Sequence, residues 1–192
     1  DLSIEIFGRK YDENRHYNKH HMGIVPQNIA IFPELTAYEN LKVFGTIYGM
    51  KNKTLQERID ELLELFSLTG FKNKKVATFS GGMKRSVNLM VGILNKPDLL
   101  ILDEPTVGID VQSKVLILDN LKSLNKEGTT ILYTSHDMVE AQHLCTRVGI
   151  IDGGKLVAED TPSMLIATYK GCDDLEAVYL SLTGKVLRNM EN

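Results

Sequence analysis

With 192 residues the chain is long enough for one domain with a sizeable core, and 43% hydrophobic against 24% charged residues is an ordinary globular composition. Lysine and arginine number 22 against 25 acidic residues, for a formal charge of -3, so no global basic field points to nucleic acid and no block of like charge marks a disordered tail. The longest purely aliphatic run, LLIL at 99–102, is far short of the ~20 apolar residues needed to cross a bilayer, and no secretory segment opens the chain.

In chain order, LSIEIFG reads as an alternating strand ended by a glycine turn. The chain opens on Asp1 and not on methionine, which leads to the expectation that its start is missing. In the polar stretch YDENRHYNKHH, His16, His20 and His21 could be metal ligands, but nothing fixes their geometry and the stretch is expected to be a solvated loop. MGIVPQ at 22–27 is a second short strand. From Thr36 to about Lys96 the texture is helical. TAYE and TLQE both have the form of capping boxes, with Thr36 and Thr54 as N-caps and Glu39 and Glu57 three residues on. In the second helix Leu55, Ile59, Leu62, Leu63 and Phe66 fall on one face and are expected in the core. A third helix begins at the glycines of FSGGMKRS.

After Pro97, strand and helix alternate: DLLILDE, VQSKVLILDNLKSLNKEG, TTILYTSH, DMVEAQHLC and TRVGIIDGGKLVAED. Such alternation implies a largely parallel sheet covered on both faces. Thr161 before Pro162 is an N-cap with proline at the first helical position, and CDDLEAVYLSLTG supplies a last helix. Cys145 and Cys172 are far apart, which fits two reduced thiols and neither a metal motif nor a disulfide framework.

Four short motifs bear on chemistry. GIIDGGKL at 149–156 nearly spells the phosphate loop G-x-x-x-x-G-K followed by serine or threonine, but Leu156 has no hydroxyl. Such a loop must leave a strand and open a helix, whereas this one sits between two strands and reads as a hairpin turn. LLILDEP at 99–105 delivers Asp103 and Glu104 to the tip of a buried strand, where open α/β sheets bind ligands. Asp103 could hold Mg²⁺ and Glu104 polarise a water, or the pair could be a solvated strand end. In SGGMKR at 80–85 two glycines let the backbone approach an anion at a helix start, or serve only as a cap. His136, in TSHD, stands at a strand end where an imidazole could reach a terminal phosphate.

The order of these motifs matters more than any one of them. Gln27 after a strand, a helical insert, SGG, a hydrophobic strand ending Asp-Glu, GID, then a strand and His136 together resemble the nucleotide-binding domain of ABC transporters over essentially the whole chain. The resemblance implies a P-loop NTPase-like α/β core with a mostly parallel sheet and an inserted α-helical subdomain: core at 1–35 and 97–160, helical insert at about 36–96, C-terminal helices at 161–192. It implies that Gln27 contacts magnesium and the attacking water, and that Ser80, Gly81 and Gly82 bind the γ-phosphate held by an opposite subunit. Asp103 and Glu104 correspond to the Walker B pair, Asp110 to the D-loop aspartate and His136 to the switch histidine.

The family further implies ATP and Mg²⁺ as cofactors, a second such domain packed head to tail, and a membrane permease that holds the protein at the cytoplasmic face. Residues Phe32 to Tyr48 are the expected contact with that permease, or ordinary subdomain packing. Phe79 and Met83 replace the usual leucine and glutamine around SGG, and with TSHDMVEAQHLCTRVGIIDGGKL the texture is most similar to the exporter branch of drug-resistance, sodium-extrusion and ABCA-type subunits. No phosphate loop precedes Gln27. The expectation is therefore an N-terminally truncated domain, itself inactive, with a naturally partial, non-catalytic regulatory module as the alternative.

Overall fold

The computed structural model describes residues 4–184, except for the side chains of Asp12, Arg15, His16 and Lys19. Two compact units follow one another in the chain, Asp1–Thr134 and Ser135–Asn192. The first opens on a hairpin of β1 (Glu5–Ile6) and β2 (Arg9–Lys10), turned by Phe7 and Gly8 at φ of 55° and 70°. Leu2 and Ser3 of the expected first strand lie outside the described residues.

The segment expected to be a loop is helical. A 3-10 turn over Asp12–Asn14 runs into α1 (Arg15–His21), which has no side-chain cap. Its anchors are tertiary: the Tyr17 and His21 rings stack with centroids 4.1 Å apart, Arg9 lies over the Tyr17 ring, and His21 Nδ1 pairs with the Asp98 carboxylate, 77 residues away. A polar composition concealed that helix because its partners are distant in sequence. His16, named with His20 and His21, has its side chain outside the described set.

Next come β3 (Met22–Val25) and α2 (Ala37–Ile47). The α2 capping box forms as expected: Thr36 Oγ1 accepts from the Glu39 N–H at 3.1 Å, and the Glu39 carboxylate accepts from the Thr36 N–H at 2.8 Å. The next helix, α3 (Asn52–Leu65), starts before the expected position. Its N-cap is Lys51, and Thr54 lies inside the first turn, so the TLQE box does not form. The start is marked by the Leu55 N–H, which reaches the Lys51 carbonyl at 2.8 Å, ahead of Thr54; Leu55, 3% exposed, seats its side chain against Gly45 of α2. Leu55, Ile59, Leu62, Leu63 and Phe66 are all buried, as their spacing required.

The unit continues with α4 (Gly81–Ile93), β4 (Leu99–Asp103), α5 (Val111–Lys126) and β5 (Thr130–Thr134). The three longer strands form a parallel sheet in the order β3-β4-β5. The register aligns Val25, Leu102 and Tyr133 on one face and Ile24, Ile101 and Leu132 on the other. On the first face α4 lies very close. A Cβ on Gly23 would meet the Gly92 carbonyl oxygen at 1.9 Å, and one on Gly92 would meet Val25 Cγ2 at 2.4 Å. Only glycine at both positions admits that approach. The opposite face departs from the expected double cover, since Ile24 and Leu132 are 57% and 55% exposed. Alternating strands and helices determine that strands run parallel, not which face each helix takes.

The second unit contains α6 (Met138–Leu144), an antiparallel hairpin of β6 (Val148–Asp152) and β7 (Lys155–Asp160), α7 (Pro162–Thr168) and α8 (Leu175–Thr183). Its core is Ala141, Ile150, Leu165, Leu175 and Val178. Thr161 caps α7 ahead of Pro162, accepting from the Met164 N–H at 3.3 Å. Asp152 pairs with Lys155 across Gly153 and Gly154, both at positive φ, so GIIDGGKL is strand, two-glycine turn and strand. Cys145 and Cys172 are free thiols. No helix among the described residues is long and apolar enough to cross a membrane.

Candidate functional site

Asp103 is the last residue of β4, and Glu104 is the first beyond it, because the buried Leu100 and Leu102 fix the strand and leave its tip outside the core. Glu104 has φ of 44°, in the left-handed region that a non-glycine residue occupies at a cost of about 1–3 kcal/mol. Its neighbour strand holds it there. The Glu104 N–H donates to the Thr134 carbonyl and to the Thr134 hydroxyl oxygen, each at 3.2 Å, while that hydroxyl donates to Asp103 Oδ1 at 2.7 Å. One side chain on β5 thus fixes the backbone of one acid and the carboxylate of the other.

Gln27 lies just beyond β3, whose Val25 is in register with Leu102. Its Nε2 donates to Glu104 Oε2 at 2.8 Å. The loop carrying Gln27 is gripped from α4. Arg85 donates from Nη1 to the Pro26 carbonyl at 3.0 Å and from Nη2 to the Gln27 carbonyl at 2.6 Å, and Asn88 Oδ1 accepts from the Ala30 N–H at 3.1 Å. Arg85 is 5% exposed, and burial draws its pKa below the ordinary arginine value.

At the other end of that grip, Ser80 caps α4, its Oγ accepting from the Met83 N–H at 3.2 Å. Gly81 is exposed, while Gly82 is pressed against α5: a Cβ there would meet Ser113 Oγ at 1.9 Å and Asp110 Oδ2 at 2.9 Å. Asp110 caps α5, accepting from the Ser113 N–H at 2.9 Å and from the Ser113 hydroxyl at 2.7 Å. Those bonds, the backbone one first, hold its carboxyl below the ordinary aspartate range. Ser80, Met83, Asp110, Ser113, Phe66 and Phe71 border a cavity of about 350 Å³.

The sequence-predicted residues therefore gather in two places within the first unit. Gln27, Asp103 and Glu104 meet at the tips of β3 and β4; Ser80, Gly82 and Asp110 meet where α4 and α5 begin. His136 belongs to the second unit, exposed and one residue ahead of Asp137, which caps α6.

Asp103 is exposed and keeps one anionic carboxylate oxygen clear of Thr134, and the Gln27 carboxamide oxygen adds a neutral donor. Such an oxygen set suits a hard cation such as Mg²⁺, which takes one or two carboxylates together with substrate phosphates. Among the described residues no group of three or more histidines, cysteines or acids forms a complete metal site, so substrate oxygens would have to finish the shell.

Thr134, Arg85, Asn88 and Ser113 are the residues that sequence reasoning passed over. Ser113 was legible, since Asp110-x-x-Ser113 has the spacing of an aspartate N-cap. Arg85 and Asn88 carried no signal: their partners at Pro26, Gln27 and Ala30 are 58 or 59 residues away.

The ABC transporter family profile matches residues 3–107. The linearmycin resistance ATP-binding protein LnrL of Bacillus subtilis (strain 168) is 48% identical over 153 residues, 80% of this chain and 49% of that protein. The Nod factor export ATP-binding protein I of Cupriavidus pinatubonensis (strain JMP 134 / LMG 1197) is 40% identical over 174 residues, 91% of this chain and 54% of its own length. The chain spans about half the length of these curated relatives. Among solved structures, an ATP binding subunit of an ABC transporter superposes with a TM-score of 0.84 at 26% identity, over 94% of this chain and 76% of the other. The dimeric post-hydrolysis ATP-binding cassette MJ0796, bound to ADP and Pi, gives a TM-score of 0.74 at 26% identity, over 84% and 73% of the two chains.

Proposed function

The chain belongs to the ABC transporter ATP-binding family, and from that premise we propose that it acts in an ATP-hydrolysing subunit that powers a membrane exporter. The observation that carries the reading is the Gln27–Glu104 contact at 2.8 Å beside Asp103, which unites three oxygen-bearing side chains from strand tips 77 residues apart. Glu104 is the general base toward water, and Gln27 orients that water and the Glu104 carboxylate together. Asp103, with Gln27, would hold Mg²⁺, which when bound neutralises charge on the phosphates. Ser80, Gly81 and Gly82 present the α4 N-terminus to the terminal phosphate of a nucleotide on an opposing subunit, and Asp110 stands beside that loop. His136 is assigned to contact with a terminal phosphate.

A head-to-tail dimer of such subunits is supported by the exposed Val107, Val111 and Val115 around Asp110, and by the dimeric state of the MJ0796 cassette. The exposed Phe32, Val43 and Ile47 support a permease contact between Phe32 and Tyr48, which would place the protein at the cytoplasmic face of the membrane. The names of two relatives, one conferring linearmycin resistance and one exporting Nod factor, support the export direction. Within 1–192 the one near-match to a phosphate loop is the Gly153–Gly154 hairpin, so we extend the reading to a chain that by itself turns over no ATP. That same observation favours the second reading, a non-catalytic regulatory module.

The test is ATP turnover by the full-length protein and its Glu104→Gln variant. Loss of a general base lowers turnover by roughly 10²–10⁴ with nucleotide affinity retained. Unchanged turnover in the variant would remove Glu104 from its role, and a full-length protein that binds ATP without hydrolysing it would favour the regulatory module.

A further inference from the structure

Arg85 is a buried cation with an uncommon set of partners. It is 5% exposed, its Nε has no partner among the described residues, and its two Nη atoms both donate to carbonyls of a single loop. A guanidinium taken out of water is ordinarily paired with a carboxylate. Here the planar fork instead holds the consecutive carbonyls of Pro26 and Gln27, a two-point grip that the single ammonium of lysine cannot reproduce. Asn88, on the same helix, binds the Ala30 N–H and so secures the far side of Gln27. Gln27 is left with its side chain on Glu104. The helix doing the gripping is the one that begins at Gly81, about one turn before Arg85.

We propose that Arg85 is a positioning residue: through the Pro26 and Gln27 carbonyls it sets where the Gln27 carboxamide meets Glu104, and so ties the start of α4 to the hydrolytic carboxylate. A phosphate that draws on Ser80, Gly81 and Gly82 then moves Gln27 as well, because a helix transmits a displacement along its axis with little loss. Occupancy at the start of α4 is reported through Arg85, about one turn on, to the water site at Gln27 and Glu104. This catalytic consequence rests on the reading of Glu104 given above; the positional claim does not.

The first measurement is NMR of the chain with ¹⁵N-labelled glutamine, the Gln27 side-chain amide being assigned by its loss in Gln27→Ala. The wild type is expected to show a Gln27 amide shifted from the free-glutamine position, and Arg85→Met to return it there. Exchange of the Ala30 backbone amide, which Asn88 holds, should rise about tenfold or more as the local opening free energy falls. Arg85→Lys, which keeps the charge and one donor, should lie between. Protection at Leu89 and Val91 reports whether α4 is intact, and if Arg85→Met does not fold, Arg85→Lys and Asn88→Ala carry the test. A Gln27 signal and exchange rates that stay within about twofold of wild type in folded variants overturn the proposal.

The second measurement is turnover of Mg·ATP by the full-length protein. Arg85→Lys should lower kcat about tenfold with KM within about twofold, and Arg85→Lys should add little to the loss already caused by Gln27→Ala. Losses that multiply overturn the proposal. A full-length wild type that neither binds nor hydrolyses Mg·ATP defeats the functional reading instead, and the NMR result still decides what Arg85 positions.

Discussion

Replacing Gly82 with alanine puts a methyl group where Ser113 already sits. The added Cβ would lie 1.9 Å from Ser113 Oγ and 2.5 Å from Ser113 Cβ. A rotamer change can move the hydroxyl, at the expense of its 2.7 Å bond to Asp110, but rotation about χ1 leaves Cβ in place. The starts of α4 and α5 must therefore move apart by roughly 1 Å to reach ordinary carbon contact. Overpacking of this kind costs about 1–3 kcal/mol and the Asp110–Ser113 hydrogen bond about 1 kcal/mol more, so the destabilisation should be about 2–4 kcal/mol. Urea denaturation of the single and double variants measures it. Combining Gly82→Ala with Ser113→Gly removes the two Ser113 atoms that clash most, leaving only Asp110 Oδ2 at 2.9 Å, and should recover most of the overpacking cost, whereas combining it with Ser113→Ala leaves the 2.5 Å Cβ contact and should recover little. A Gly82→Ala cost below about 0.5 kcal/mol, the range of an ordinary surface change, would refute the reasoning. Equal rescue by the alanine and glycine partners would refute it too.

Further outcomes follow from the same geometry. Phe66→Ala, at a residue 1% exposed between α3 and the α4 start, should cost about 3–5 kcal/mol in denaturant unfolding. Thr36→Ala removes the capping box of α2 and should cost about 1 kcal/mol, read by the same assay, while Thr54→Ala should cost less because Thr54 caps nothing. The Asp110 carboxyl titrates below its ordinary value of 3.8 because it accepts bonds from Ser113, so its contribution is present above that pH and disappears as pH falls through the depressed folded value. Stability measured against pH should therefore fall less steeply on the acid side of 3.8 in Asp110→Asn than in the wild type, and parallel acid limbs would contradict the assignment. Gly23→Ala should separate α4 from β3, since its Cβ meets the Gly92 carbonyl oxygen at 1.9 Å, and should raise amide exchange in both elements.

Much of the molecule was written in local patterns. The α2 start is legible because a capping box is complete within four residues, Thr36 to Glu39, and needs no other part of the chain. The Gly153–Gly154 hairpin is legible for the same reason: two consecutive positive φ values are cheap only for glycine. Leu55, Ile59, Leu62, Leu63 and Phe66 announced their burial by spacing. Asp103 and Glu104 could be picked out as acids at a strand tip, whereas Gln27 and Asp110 were marked only by the order of motifs shared with the resembled family. A local pattern can also mislead: Thr54 has the form of a cap, yet the helix starts at Asn52, with the Leu55 N–H bonded to the Lys51 carbonyl.

What the chain determines by itself is thus most of the elements and the parallel run of the core strands, because hydrophobic period, caps and turns act over a few residues, while the order of its motifs supplies the candidate residues. Only the tertiary structure decided that residues 15–21 are a helix anchored on Asp98, that one face of the sheet leaves Ile24 and Leu132 exposed, and that Thr134 joins the two acids. It also decided that Gln27 rests on Glu104 while Arg85 holds Gln27 in place. These are contacts between groups 31 to 77 residues apart, made where strand register and the close passage of α4 over Gly23 bring them together. No local periodicity carries that information, because it exists only once the sheet is assembled.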